Sequence, residues 1–274
     1  MSIQPFQEAF LCASTIDGAS LMDRMDSAHA AGYDGIGLRP GHVARALQEG
    51  MTIPSIRSAF AERSLELFEI GFLSDWWLPD GANDKSLAHE ASLFRLKEAL
   101  GGRHMMVIGG PLDAGLDTVA ERFAGVCRRA AEHGLRVALE FLPWTDTRTV
   151  QDAWRIVEAA GEPNGGVVID TWHFFRGGST LEQLAELPGD RIPVIQLSDG
   201  PLDARGTELE DTFHRRRLPG AGEFDLAALL SALAEKSVTA PIGMEVLSDE
   251  LRPLETRVVA EKTRAALTGL LASL

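Results

Sequence analysis

The chain has 274 residues, 45% of them hydrophobic, with 26 basic against 40 acidic side chains and a formal net charge of −14. That length suits a single α/β barrel, and the apolar share excludes an extended disordered chain. The acidic balance argues against capture of nucleic acid or of an anionic membrane, and no apolar stretch reaches the roughly 18 residues a membrane span needs. The opening residues MSIQPFQEAF carry no basic segment and no long apolar run. No secretory leader is therefore expected, and the default location is the cytoplasm. Cys12 and Cys127 lie far apart without C-x-x-C spacing, so both read as small buried hydrophobes rather than a disulfide or a structural zinc site.

Short apolar runs alternate with longer amphipathic segments from end to end. The first run, LCASTI (11–16), is followed by a helical pattern over 20–31 with Leu21, Met25 and Ala28 on one side. GIGLRP (35–40), SLELFEIGFL (64–73) and HMMVIGG (104–110) supply three more strands, with a helix over 84–100 that Asp84 would cap. The next helix ends at Gly134, a good C-terminal stop. RVALEFLPW (136–144), VVIDTWH (167–173), IPVIQLSDG (192–200) and IGMEVLS (242–248) complete eight strands, separated by helices over 147–160, 181–187, 226–234 and 254–271. Most of these runs are continuously apolar, as strands covered on both faces are. Eight alternating units with right-handed crossovers predict one (β/α)₈ TIM barrel spanning residues 1–274. No strand is followed by G-x-G-x-x-G or a P-loop, which argues against a nucleotide-binding open sheet.

In a barrel, chemistry sits at the C-terminal ends of the strands. Four late strands place a polar residue there after an apolar run: Glu140 in VALEF, Asp170 in VVIDTWH, Gln196 in PVIQLSD and Glu245 in IGMEVL. Three carboxylates converging on one mouth repel one another unless some hold protons or a cation lies among them. The four oxygen donors point to one divalent metal ion, Mn²⁺ or Mg²⁺ before other divalent metals. Glu140 and Glu245 would also be placed to act on substrate protons. His173, three residues after Asp170, is a candidate general base. Trp144, Trp172, Trp76 and Trp77 are candidates to wall the pocket. The long segment after strand seven carries His214, Arg215, Arg216 and Arg217, which would clamp a substrate carboxylate or phosphate or else neutralise Glu208, Glu210 and Asp211. Arg39, at the end of strand two, is a second candidate for substrate contact. No lysine lies at a strand end, which argues against Schiff-base chemistry.

At these residues the sequence resembles the xylose-isomerase-like barrel superfamily, also called sugar phosphate isomerase/epimerases. Within it, the pieces IDTWH, IQLSDGPL, HRRRLPGAGEFDL and MEVLSD are similar to bacterial 3-dehydroshikimate dehydratases. The resemblance implies a metal held by Glu140, Asp170, Gln196 and Glu245, proton transfer at His173, and substrate contact by His214 and Arg216. Gln196 in place of a His ligand leans towards dehydratases. Arg39 stands where many relatives carry a Glu. The expected activity is metal-dependent isomerisation, epimerisation or dehydration of a polyhydroxylated keto compound: a sugar, an inosose or a 3-dehydroshikimate-like ring. Partners would be that small molecule and, where relatives assemble, a second copy in a homodimer. Rival readings are a non-catalytic sugar-binding barrel or subunit of a larger complex, and a metal-dependent endonuclease, which would need more His at strand ends and a basic surface.

Overall fold

A computed structural model describes residues 6–274. The first five residues, part of the segment read for a leader, lie outside the described residues. Nine parallel strands form one sheet: β1 (Ala9–Leu11), β2 (Gly35–Leu38), β3 (Glu66–Leu73), β4 (His104–Ile108), β5 (Arg136–Glu140), β6 (Gly165–Val167), β7 (Ile169–Asp170), β8 (Ile195–Leu197) and β9 (Ile242–Met244). Their order is β6-β5-β4-β3-β2-β1-β9-β8-β7. Only Val168 separates β6 from β7. Its N–H donates to Leu139 on one side, and the N–H of Ile169 donates to Val194 on the other. The chain changes neighbour in mid-strand, so the ring closes with eight positions, as the alternation of elements predicted.

Around the ring run α1 (Leu21–Ala31), α2 (Pro40–Gln48), α3 (Ile53–Glu62), α4 (Asp84–Leu100), α5 (Leu116–Glu132), α6 (Val150–Ala160), α7 (Thr171–Gly177), α8 (Leu181–Glu186), α9 (Glu208–His214), α10 (Leu226–Glu235) and α11 (Thr256–Ala272). One differs from the expected cap: Asn83, not Asp84, flanks α4. The expected first strand over 11–16 is also displaced. β1 ends at Leu11, and residues 13–16 make a single tight turn whose carbonyls at Ala13 and Ile16 accept from the buried Arg24 guanidinium.

Two apolar layers result. Leu, Ile and Val side chains on the outside of the strands pack under the helices. Inside the ring, Phe10, Cys12, Phe68, Met106, Ala138, Val168 and Val194 form a separate floor. Gly243 belongs at that level: a Cβ there would stand 2.5 Å from Phe10 and 2.6 Å from Cys12, so the floor closes only because this residue has no side chain. Strand period two then fixes what lies above the floor. Glu140, Asp170, Gln196 and Glu245 each come two residues after Ala138, Val168, Val194 and Gly243, so all four point into the C-terminal mouth.

Candidate metal centre

Each of the four mouth residues is buried. Asp170 divides its carboxylate between two tasks. Oδ1 accepts from the N–H groups of Trp172 (2.7 Å) and His173 (3.2 Å), capping α7. Oδ2 accepts from Arg216 Nη1 at 2.9 Å. The same guanidinium nitrogen reaches Glu245 Oε2 at 3.2 Å. The cap places His173 in the first turn of α7, with Nε2 3.6 Å from Glu140 and 3.7 Å from Asp170. Arg216 Nη2 lies 3.4 Å from that Nε2, and the Trp144 ring packs edge-on against the imidazole at 5.5 Å.

Burial, together with the charges gathered here, shifts Glu140, Asp170, His173 and Glu245. Burial, with the charges of Glu245 and Asp170 beside it, holds the Glu140 carboxyl well above its ordinary range. Burial also lifts Glu245, to about 8, against the pull of Arg216. Asp170 goes the other way: burial would raise it, but Arg216 and His173 outweigh that and hold it low. His173 is pushed down to about 4 by burial, with Arg216 adding to it and Asp170 opposing, so its ring is neutral at ordinary pH.

Sequence reasoning missed Glu69 and His104. In β3 the register slips between the pairs Ile36–Leu67 and Gly37–Glu69. This bulge turns both Phe68 and Glu69 inwards, against the strict alternation a reader would apply. Glu69 Oε2 accepts from Gln196 Nε2 at 2.9 Å and lies 3.6 Å from Nε2 of the buried His104. The one legible signal was an acid between Phe68 and Ile70 in an apolar run, the pattern used to find the other four.

The remaining candidates divide. Arg39 lies at the rim, held by Asp17 (3.0 Å) and Ser14 (2.7 Å), and borders a small cavity with Glu69, Glu140, Gln196 and Glu245. That cavity adjoins, through Ser14 and Arg39, a cleft of 570 Å³ lined also by Phe213, Leu251 and Arg252. His214 is turned outwards, with Nδ1 2.9 Å from Asp249. Arg215 is bound by Asp211 and Asp203, so of the three consecutive arginines only Arg216 enters the mouth. Of the tryptophans, Trp144 packs against His173 and the Trp172 ring lies under Arg216 at 5.7 Å. Trp76 is core, donating to the Ile108 carbonyl, and Trp172 is fully buried beneath Arg176.

The residues fit a divalent cation. Ligand atoms of Glu140, Asp170 and His173 lie within 4.8 Å of one another and could hold a metal ion, a trio that takes in His173 and leaves out Glu245. Gln196 Oε1 is buried and accepts no hydrogen bond from the protein, as an oxygen reserved for a cation would be. Arg216 supplies one positive charge, shared between Asp170 and Glu245.

Fold and mouth together define a (β/α)₈ barrel with a cluster of buried acids at its C-terminal face. The chain belongs to the xylose isomerase-like TIM barrel family, whose sequence profile matches residues 25–268. It is 28% identical over 249 residues to a 3-dehydroshikimate dehydratase of Pseudomonas aeruginosa, covering 88% of this chain but only 38% of that longer protein. An inosose isomerase of Halalkalibacterium halodurans is 24% identical over 249 residues, covering 87% of this chain and 86% of the relative. Among solved structures, the IOLI protein with a bound zinc atom superposes with a TM-score of 0.88 at 19% identity, covering 97% of this chain and 99% of that one.

Proposed function

We propose that this chain is a divalent-metal-dependent enzyme that removes a proton next to the carbonyl of a polyhydroxylated keto compound. The leading outcome is dehydration of a 3-dehydroshikimate-like ring. The observation that carries the reading is the buried, unpartnered Gln196 oxygen set beside Glu140 and Glu245 in one cavity. Glu140, Asp170, Gln196 and Glu245 would hold the ion, Mn²⁺ or Mg²⁺ by their oxygen chemistry. When bound, the ion supplies Lewis-acid polarisation of a substrate oxygen.

The chain's own residues supply the rest. His173, neutral and facing the cluster through Nε2, takes the proton from the adjacent carbon. Arg216, fixed by Asp170 and Glu245, sets positive charge beside that base, where negative charge develops on the substrate. Arg39 at the rim binds a substrate carboxylate, with Trp144 covering the imidazole face of the pocket. The β-hydroxyl then leaves as water, taking back the proton held by His173, which completes dehydration, and the similarity to the P. aeruginosa dehydratase supports that outcome. Isomerisation is the second reading, favoured by the alignment over nearly all of an inosose isomerase.

The test is 3-dehydroshikimate and inososes offered in D₂O to protein saturated with Mn²⁺ and to chelator-treated protein. Expected is water loss from the ring, seen as new aromatic absorbance, with exchange of the proton beside the carbonyl, both abolished by the chelator. Full exchange in the metal-free protein would overturn the metal-dependent reading. Exchange of the inosose without water loss from either substrate would move the assignment to isomerisation.

A further inference from the structure

We propose that Glu69 is a positioning residue that fixes which end of the Gln196 amide faces the cation site. An amide side chain offers a donor at one end and an acceptor at the other, and nothing in its shape chooses between them. Here the choice is made from the opposite wall of the barrel. Glu69 Oε2 lies 2.9 Å from Gln196 Nε2 and, as a carboxylate, can only accept. The reversed amide would set its oxygen against that carboxylate and turn an NH₂ group away from it, in the cavity that Glu140 and Glu245 also line. The hydrogen bond therefore commits Oε1 to the mouth, where it is buried and without a partner.

Glu69 is itself held in place. The bulge in β3 turns it inwards, and His104 lies 3.6 Å from Oε2. Gly37 leaves room for the other oxygen, since a Cβ there would come within 3.0 Å of Oε1. His104 Nε2 has no hydrogen-bond partner, so Glu69 is the only acid it approaches among the described ion pairs. Ligands to a metal are commonly oriented by an outer carboxylate in this way. The arrangement explains how Gln serves at a mouth position where a His would otherwise bring its own orientation. This inference rests on the proposed cation site, and its test separates the two.

The experiment measures Mn²⁺ affinity by the decrease of the free-ion EPR signal, in wild type, Glu69→Gln, Gln196→Glu and the double variant. With Glu69→Gln the group at residue 69 can donate as well as accept, and the Gln196 amide is freed to reverse. Affinity should fall about 10- to 100-fold. In the Gln196→Glu background both terminal atoms of residue 196 are oxygens, so orientation no longer matters. There the Glu69→Gln change should leave affinity equal or tighter. An equal fall in both backgrounds would overturn positioning and make Glu69 a direct contributor of charge or ligation. Unchanged affinity in the Glu69→Gln single variant would also overturn it while leaving the cation site intact. Failure of wild type to bind Mn²⁺, Mg²⁺ or Zn²⁺ would overturn the cation site itself. Thermal unfolding of the metal-free variants within a few degrees of wild type establishes that the affinity change is not a loss of fold.

Discussion

The two halves of the barrel mouth handle acidity differently. The late half, from β5 to β9, gathers Glu140, Asp170 and Glu245 around one guanidinium, so that its acids lean on a cation delivered from a loop. The early half contributes an inward acid, Glu69, which accepts from the Gln196 amide and has the His104 ring 3.6 Å away. Arg39 stays on the rim, where it is tied to Asp17 and Ser14. One half is built to concentrate charge and the other to orient and receive. A ligand placed between them would meet a fixed electrostatic wall on one side and a hydrogen-bonding wall on the other.

The sharpest way to break this division is at the base. His173→Ala should lower kcat by about 10²- to 10⁴-fold, with a much smaller change in KM. Equal loss from a change on the early wall would mean that proton transfer is not confined to the late half. Next in size is the guanidinium. Arg216→Ala leaves Asp170 and Glu245 buried without their counter-ion and should cost about 3–5 kcal/mol in stability, read by chemical denaturation in chelator. A cost under about 1 kcal/mol would show that protonation of Glu245 absorbs the charge. On the rim, Arg39→Ala should weaken substrate binding by about 1.5–3 kcal/mol, seen as a raised KM for a carboxylate-bearing substrate with kcat nearly kept. The parallel change at His214, which sits on Asp249 at the surface, should leave KM alone.

The smallest effect concerns pH. His42, behind Arg39, is pushed down to about 4 by burial and by the neighbouring charges of Arg24 and Arg39. The fold favours its neutral form. Its contribution is therefore complete above about pH 6.5 and is lost as pH falls towards 4. The Tm of wild type should drop more steeply over that window than the Tm of His42→Gln. Parallel curves would remove His42 as a source of acid sensitivity on the early side.

The late half was the more legible in the sequence, and the reason is geometric. Its strands alternate strictly, so a polar residue two places beyond an inward apolar one has to enter the mouth, as Asp170 does after Val168. Glu69 was hidden because the β3 bulge puts two consecutive residues inside. His173 closes the apolar run 167–173 in the sequence, yet it lies in the first turn of α7. The D-T-W-H stretch is also a capping signal, and Asp170 serves as cap and mouth acid at once, one oxygen for each. Likewise α2 and α3 carry Pro40 and Pro54 in their first turns, which suits a helix start, yet no helix is assigned there from the sequence. The arginine run after β8 could not be apportioned from sequence. Which of three neighbours turns inwards depends on antiparallel bridges from Asp199 to Arg217 and from Arg215 to Ser248.

Those bridges have a consequence for assembly. The side chain of Asp199 gathers the N–H groups of Gly200, Gly220, Gly222 and Phe224, pinning the long loop that carries Arg216 at both of its ends. The Arg216 backbone is tied in turn to Leu247, just after β9, and β9 is the strand that seals the ring by pairing with both β1 and β8. Closing the barrel and holding Arg216 in place thus depend on the same strand and the residues just after it. A fragment ending before β9 would lack the seam and Glu245 together, and would leave Arg216 without the strand that anchors it.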